Sequence, residues 1–182
     1  MKKEALLYKK LENNSVHCRL CAHGCKIEDK KFGICGVRQN IGGILYTYAY
    51  GEVIAIHIDP IEKKPLFHFL PSAKAYSIAT AGCNLKCKFC QNWEISQAKP
   101  EELNYVYLEP PELVKKVKES GVPVIAYTYS EPTIFYEYML DTARLAKLKG
   151  IKNIIHSNGY INEEPLKELG LYLDVANIDL KG

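Results

Sequence analysis

The stretch GCNLKCKFCQN, residues 82–92, decides the fold and carries three cysteines in the spacing Cys-x3-Cys-x2-Cys. A structural zinc site is usually closed by four protein ligands. Three thiolates on one short loop can instead hold a 4Fe–4S cluster and leave one iron open for chemistry. The loop follows an apolar run at 75–80, so Cys83, Cys87 and Cys90 can turn inward together. An iron–sulfur site is therefore the first expectation, with a zinc site or buried free thiols as the alternative.

The composition of the chain excludes several classes of protein. Its 182 residues suit one or two domains, and 47% hydrophobic with 25% charged residues is ordinary for a globular protein. The net charge of +3 is small and the lysines are spread along the chain, which makes nucleic acid an unlikely partner. No apolar run reaches membrane-spanning length, and the basic start leads into a charged segment and not a signal sequence. We expect a cytoplasmic protein with no membrane partner.

The first part of the chain is expected to be a Cys-rich N-terminal region, residues 1–72. Residues 3–12 predict a short amphipathic helix. Residues 44–50 and 53–58 are rich in Tyr, Ile and Val and predict the two strands of a β-hairpin. A proline-marked connector follows at 59–71. Its charged residues suit either a solvated loop or a frame around the mouth of a site.

The second part, residues 73–182, alternates strand-like and helix-like runs. The strand-like runs are 75–80, 122–128, 151–156 and 173–179, and the helix-like runs are 111–120, 133–149 and 163–169. This alternation predicts parallel strands with right-handed crossovers, in either a barrel or a doubly wound sheet. At roughly 31 residues for each strand–helix unit, this part holds about three and a half units. We therefore expect a chain that is truncated after its fourth strand, as a fragment, as a split gene product or as a chain completed by a partner.

The cysteine loop resembles the signature of the radical S-adenosylmethionine (SAM) enzymes, Cys-x3-Cys-x-aromatic-Cys, with Phe89 as the aromatic residue. The resemblance implies an α/β fold, a partial (β/α)6 barrel with the loop after its first strand. It also implies that Cys83, Cys87 and Cys90 ligate a 4Fe–4S cluster whose open iron chelates SAM. Reductive cleavage of SAM would then give a 5′-deoxyadenosyl radical that abstracts hydrogen from a substrate. Phe89 is expected to pack near the adenine.

Three strand ends carry further candidates for cofactor binding. Glu131 stands where radical SAM enzymes often have the acid of a Gly-Gly-Glu motif, and its alternative role is a helix cap or a surface residue. Asn158 belongs to a segment similar to Asp-Thr-Asn-Gly of pyruvate formate-lyase activating enzyme, in which His156 replaces the aspartate. Asp179 and Lys181 match that family's Asp-Leu/Ile-Lys pattern. By resemblance they would meet the ribose and the methionine carboxylate of SAM, and a plain cross-strand pair is the alternative.

Four more cysteines cluster near the N-terminus, at Cys18, Cys21, Cys25 and Cys35. In a cytosolic protein, clustered cysteines more often bind metal than form disulfides. We expect a second metal site, which holds either zinc or another iron–sulfur cluster. The pattern Cys-x2-Cys-x-His-x-Cys followed by Gly-x-Cys-Gly-Val-Arg is similar to the AmmeMemoRadiSam system radical SAM enzymes.

The resemblance implies an oxidoreductase like pyruvate formate-lyase activating enzyme. Such an enzyme would take its electron from a ferredoxin or a flavodoxin, and its substrate would be a glycine of a partner protein. Two alternatives stay open at this stage. One is a non-catalytic metal-binding or assembly module whose incomplete barrel cannot close over SAM, and the other is an enzyme that modifies RNA or a small molecule.

Overall fold

The computed structural model describes residues 2–181 and has a mixed α/β architecture. Its strands are β1 (Lys3–Glu4), β2 (Tyr8–Lys10), β3 (Val16–Cys18), β4 (Lys26–Ile27), β5 (Arg38–Ile41), β6 (Ile44–Thr47), β7 (Glu52–Val53), β8 (Ala55–Pro60), β9 (Lys74–Ala79), β10 (Val106–Tyr107), β11 (Val124–Tyr127), β12 (Lys152–Ser157) and β13 (Val175–Ile178). Its α-helices are α1 (Trp93–Ser96), α2 (Pro110–Glu119), α3 (Tyr136–Leu148) and α4 (Glu163–Gly170). Three short 3-10 turns cover Ile61–Lys63, Pro100–Glu102 and Pro132–Phe135.

The largest sheet has the strand order β13-β12-β11-β9-β8. Strands β9, β11, β12 and β13 are parallel, and β8 runs antiparallel to β9. The alternation predicted from residue 73 is therefore confirmed as a sheet of mostly parallel strands. The six-unit barrel stays a prediction, and so does the domain boundary after residue 72. Strand β8 precedes that boundary and pairs along its whole length with β9.

Strands β9, β11 and β12 are buried on both faces, because successive side chains enter two different apolar clusters, whereas β13 at the edge of the sheet is partly exposed. One face supplies Ile78, Ile125 and Ile155 to the large core, which also contains the buried side chains of α2 and α3. The other face supplies Val124 and Ile154, with Ala75 and Ala126, to a smaller cluster closed by Ile61 and Leu66 of the connector. The connector therefore covers one face of the sheet.

The three helices predicted after residue 73 are confirmed, with one change at the start of the second. Pro110 begins α2, which suits a residue without a backbone N–H. Gly121 and Gly150 follow α2 and α3 in the left-handed conformation, at φ +70° and +72°. The run predicted from residue 133 opens with the 3-10 turn, and α3 begins at Tyr136. Between residues 2 and 181, no helix combines the length and apolarity needed to cross a membrane.

The helix predicted at residues 3–12 is wrong. This segment instead forms β1, which pairs with β6, and β2, which pairs with β3. The backbone N–H of Ala5 donates to Leu45 O at 2.8 Å, and that of Leu6 donates to the Glu137 carboxylate at 3.0 Å. These partners lie far along the chain, so tertiary pairing overrides a weak local pattern. Leu6 and Leu11, which the helix would have buried, are exposed.

The predicted hairpin between residues 44–50 and 53–58 is also wrong. Strand β6 forms its hairpin with β5, through the two-residue turn Gly42-Gly43. Both glycines have positive φ, +60° and +81°, as the favoured two-residue hairpin turns require. Strand β8 pairs with β9, and the short β7 pairs with β10. The glycine pair therefore favours the pairing of β6 with β5, the strand before it in the chain.

Candidate active site

The carboxyl ends of the parallel strands open on a cavity of about 730 Å³. Barrel and open-sheet enzymes place their active groups at this end of the strands. The structure brings the candidate residues of all four strand ends together around the cavity, namely Cys83, Cys87, Phe89, Cys90, Glu131, Asn158, Asp179 and Lys181. The cysteines follow β9, Glu131 follows β11, Asn158 follows β12, and the last pair follows β13.

The cysteine loop is held by contacts to its own backbone and to α1. The backbone N–H of Leu85 donates to Cys83 Sγ at 3.4 Å. The Gln97 side chain, just after α1, donates to Leu85 O at 3.1 Å. Cys90 Sγ lies 3.4 Å from Ser96 Oγ, the last residue of α1. The short helix therefore fixes both ends of the loop.

The three thiols fit the 4Fe–4S cluster that the sequence predicts. They are free and partly accessible, and they share a cavity far larger than one ion. Within residues 2–181, no three His, Cys, Asp or Glu side chains are grouped as ligands of one metal ion. Burial, together with a smaller effect of the negative charge on Glu131, raises the pKa of the Cys83 thiol to about 11.

Glu131 is buried and its carboxylate is largely used by protein donors. Its Oε1 accepts from the Thr133 N–H at 2.9 Å, the Thr133 hydroxyl at 2.6 Å and the Ser157 hydroxyl at 2.7 Å. Its Oε2 accepts from the Asn158 N–H at 2.8 Å. Glu131 thus caps the 3-10 turn that leads into α3, which is the alternative role that the sequence offered for it. It also lines the cavity.

Asn158 connects the end of β12 to the cysteine loop. Its Nδ2 donates to Asn84 Oδ1 at 2.8 Å, and Asn84 is the buried residue next to Cys83. Asn84 in turn donates to Tyr160 O at 3.1 Å. The Asn-Gly segment is therefore more than a surface turn, because it joins two walls of the cavity.

Asp179 and Lys181 follow β13 and form an ion pair with each other. The Lys181 ammonium also lies 5.6 Å from the centre of the Phe89 ring, which is otherwise exposed. His156 Nε2 lies 3.7 Å from Asp179 Oδ2. Burial lowers the pKa of His156, against the opposing effect of the Asp179 carboxylate. These residues form a charged wall that reaches the cysteine loop.

The cavity has a second charged wall, which sequence reasoning identified only in part. The buried Asp59 carboxylate accepts from Lys63 at 2.9 Å, from Lys64 at 3.1 Å and from the Tyr129 hydroxyl. Burial acts to raise the pKa of Asp59, but these three donors together hold it well below its usual range. Glu62 differs, since it is partly exposed and its carboxylate accepts from the Ser72 N–H at 2.7 Å. The connector therefore both frames the cavity and faces solvent.

His57 and Tyr129 are the residues of this wall that the sequence analysis missed. His57 lies on β8, and its ring is 5.6 Å from that of Tyr129. Tyr129 has φ +65°, in the left-handed region that favours glycine. It stands where the Gly-Gly-Glu motif of radical SAM enzymes has glycine, and this correspondence was the available signal. Tyr129 therefore has the backbone conformation expected of the glycine in that motif, and it brings an aromatic side chain to the cavity.

The four N-terminal cysteines lie around a second, much smaller cavity of about 20 Å³. They do not line the main cavity, although the two regions touch. His23 Nε2 is 2.7 Å from Asn84 O in the cysteine loop. A Cβ placed on Gly82, at φ +96°, would lie 2.8 Å from Cys35 O. The N-terminal cysteine segment therefore packs directly behind the loop that carries Cys83, Cys87 and Cys90.

Comparisons with known proteins agree with this site. The chain is 47% identical over 180 residues to Uncharacterized protein MJ0808 of Methanocaldococcus jannaschii, covering 99% of this chain and 54% of the relative. It is 28% identical over 171 residues to Uncharacterized protein MJ0674 of the same organism, covering 91% and 45%. It is 25% identical over 112 residues to that organism's 7-carboxy-7-deazaguanine synthase, covering 56% and 44%.

The chain thus spans about half the length of the curated relatives it matches. The model of the Radical SAM superfamily matches residues 77–182, which is more than half of the chain and includes the cysteine loop and all four parallel strand ends. Membership of this family implies a 4Fe–4S cluster and SAM as cofactors. On this match, the chain belongs to the Radical SAM superfamily.

Proposed function

We propose that the protein cleaves SAM reductively and uses the resulting 5′-deoxyadenosyl radical to abstract hydrogen from a substrate. The observation that carries this proposal is the placement of three free thiols, Cys83, Cys87 and Cys90, at a cavity formed by the carboxyl ends of four parallel strands. Three ligands leave one iron of a 4Fe–4S cluster without a protein ligand. When bound, the cluster supplies the electron that divides SAM into methionine and the radical, which becomes 5′-deoxyadenosine on taking one hydrogen atom.

The remaining groups of the cavity suit the polar parts of SAM. Lys181 offers a cation to the methionine carboxylate, and Asp179 offers an acceptor to the ribose hydroxyls. Phe89 offers an exposed ring beside Lys181, as a surface for the adenine. Glu131 acts mainly by positioning, because it fixes Ser157 and the Asn158 backbone. One side of its Oε2 remains available to an ammonium group, since a carboxylate oxygen accepts more than one hydrogen bond.

The finer assignment rests on local sequence patterns. We propose that the four parallel strands are the first four of a (β/α)6 barrel and that the enzyme is like pyruvate formate-lyase activating enzyme, within the AmmeMemoRadiSam branch. The segment around Asn158 and the Asp179-Leu180-Lys181 pattern support this subclass. A protein glycine as substrate and a ferredoxin or flavodoxin as electron donor follow from it. The competing proposal is a non-catalytic metal-binding module.

The test is anaerobic reconstitution of the 182-residue chain with iron and sulfide, followed by EPR of the dithionite-reduced protein with and without SAM. We expect a 4Fe–4S signal that shifts with SAM, together with formation of 5′-deoxyadenosine. The C83A/C87A/C90A variant should lose both. Lys86→Ala, an exposed change within the same loop, should retain both. A cluster signal indifferent to SAM would favour the non-catalytic module, and zinc in place of iron at Cys83, Cys87 and Cys90 would exclude the radical mechanism.

A further inference from the structure

We propose that Cys18, Cys21, Cys25 and Cys35 bind a single zinc ion as a tetrathiolate site, whose sulfurs accept hydrogen bonds from the buried guanidinium of Arg38. This site is separate from the cluster-binding cysteines and does not depend on the proposed radical reaction. Its function is to hold the cysteine loop from behind.

The four thiols lie around one small space that has the size of an ion. The cavity that they line has about 20 Å³, and a single water requires roughly 10–15 Å³ measured in this way. A 4Fe–4S cluster contains eight inorganic atoms and needs far more room. Within residues 2–181, no three such side chains already surround one point, so the thiols must turn inward to close the site. The volume therefore favours one ion over a second cluster.

The backbone places the cysteines on two tight turns that face each other. In the first, the Cys18 N–H donates to Cys25 O at 2.9 Å and the Gly24 N–H donates to Cys21 O at 3.1 Å. In the second, which contains Cys35, the Gly36 N–H donates to Gly33 O at 3.0 Å. The close spacing of the first three cysteines is typical of structural zinc sites. Two turns can thus present four sulfurs to one ion.

Arg38 supplies an independent indication that a negative group belongs in this space. It is 1% exposed and lines the same cavity as the four cysteines. Its Nη2 donates to the Glu137 carboxylate at 2.5 Å, whereas its Nε and Nη1 are buried and have no hydrogen-bond partner. Unpartnered buried donors are rare and costly. Thiolate sulfurs at Cys18 and Cys35 would accept from them.

The proton balance of this arrangement closes, and hydrogen bonds from Arg38 help to disperse its negative charge. Four thiols and one Zn²⁺ give a tetrathiolate centre of net charge −2 with release of four protons. The Glu137 carboxylate shares the positive charge of Arg38, and the unpartnered Nε and Nη1 donors remain for the sulfurs. His23 is not needed as a ligand, because its Nε2 is engaged by Asn84 O at 2.7 Å. That contact joins the metal site to the cysteine loop.

The first test uses the C83A/C87A/C90A variant, in which only the N-terminal cysteines remain. We expect it to bind one equivalent of Zn²⁺, and to show the visible absorption of a tetrahedral thiolate site when Co²⁺ replaces zinc. Adding Cys35→Ser should weaken zinc binding by more than the roughly 10–100-fold that loss of a supporting residue costs. Arg38→Gln should weaken it by about that 10–100-fold, with one equivalent still bound. His17→Gln, a change in the same segment but outside the cavity lining, should bind zinc normally.

A second test avoids variants that fail to fold. The unaltered protein is loaded with one equivalent of Zn²⁺ and alkylated, and each cysteine peptide is quantified by mass spectrometry. We expect protection of the four N-terminal cysteines and reaction of Cys83, Cys87 and Cys90. Protection of the latter three instead would overturn the proposal, as would a folded protein that takes up no zinc. A 4Fe–4S chromophore in the triple variant after addition of iron and sulfide would replace the single ion by a second cluster.

Discussion

Glu131 organises two loops of the candidate active site through one buried carboxylate. It receives four hydrogen bonds from Thr133, Ser157 and Asn158. The first of these residues leads into α3, and the other two stand at the end of β12. A group that serves both elements should affect folding as well as cofactor binding.

We predict that Glu131→Gln lowers the free energy of unfolding by about 1–3 kcal/mol, because an amide replaces the charged acceptor with one oxygen and one donor. Urea unfolding of the protein measures this change. Glu62→Gln is the matched control, since its partly exposed carboxylate also accepts a backbone N–H, that of Ser72, and should cost less than about 1 kcal/mol. Equal losses in the two variants would show that the four bonds add nothing beyond an ordinary surface contact.

His156 is the residue of the charged wall whose protonation reports on its neighbours. Burial lowers its pKa, the Asp179 carboxylate opposes that effect, and Lys181 and Lys64 add to it. Because the folded pKa lies below the unfolded value near 6.5, the unfolded chain binds this proton more readily. The stability contributed by neutral His156 is therefore complete above about pH 6.5 and is lost as the pH falls.

We predict that Asp179→Asn lowers the pKa of His156 further, because it removes the carboxylate that favours the imidazolium. The measurement is an NMR titration of the His156 Cε1–H signal. Asp174→Asn provides the control, since that carboxylate pairs with Lys152 at the other end of the same edge of the sheet. A rise in the pKa, or no change, would mean that the 3.7 Å contact between His156 and Asp179 is absent in solution.

At the scale of elements, the cysteine loop depends on a close approach to the turn that carries Cys35. Gly82 begins the loop at φ +96°, and a Cβ there would lie 2.5 Å from Val37 Cγ1 and 2.8 Å from Cys35 O. The backbone conformation and the contact both demand glycine. Two elements far apart in sequence are therefore fitted to each other at this position.

We predict that Gly82→Ala destabilises the protein by more than the roughly 1–3 kcal/mol that a strained backbone conformation costs, because a steric clash adds to the strain. Gly121→Ala separates the two effects, since Gly121 has φ +70° but open space around its Cβ position. Gly121→Ala should therefore lose only the roughly 1–3 kcal/mol that the strained backbone conformation costs. Urea unfolding of both variants, compared at the same pH, is the measurement. Similar losses would indicate that the Cys35 turn moves away without cost.

The sequence predicted some elements and not others for identifiable physical reasons. The runs that became β9, β11, β12 and β13 were found because each is a strand-like stretch that alternates with helix-like runs. The strands β1 and β2 were not found, because they have two and three residues and pair with distant strands. A local pattern carries no information about such pairing.

The residues of the candidate site also divide into those that the sequence predicted and those that it did not. Cys83, Cys87 and Cys90 were predictable from their spacing, and Asp179 and Lys181 from their place at a strand end. His57 was not predictable, because it reaches the cavity only through the antiparallel pairing of β8 with β9. The Arg38 guanidinium was missed as well, since its burial depends on Glu137 of α3, about a hundred residues further along the chain. Contacts set by tertiary pairing leave no local signal.

At the scale of the whole molecule, the buried ion pair between Arg38 and Glu137 joins the N-terminal region to the parallel sheet's helices. Both side chains are 1% exposed, and Glu137 also accepts the Leu6 N–H. Removing one charge of a buried pair leaves the other uncompensated in a medium that solvates it poorly. The loss should therefore affect both parts of the chain together.

We predict that Glu137→Gln lowers the free energy of unfolding by about 3–5 kcal/mol, while the chain still unfolds in one transition. Glu119→Gln is the control, because Glu119 pairs with Lys115 at 3.8 Å on the exposed surface of α2 and should cost less than about 1 kcal/mol. Urea unfolding followed by circular dichroism and by Trp93 fluorescence measures both quantities. A small loss for Glu137→Gln would show that the protein relaxes to solvate Arg38. Two separate transitions in the unaltered protein would show that the N-terminal region and the sheet fold independently, and that the large core which the two share is not one cooperative unit.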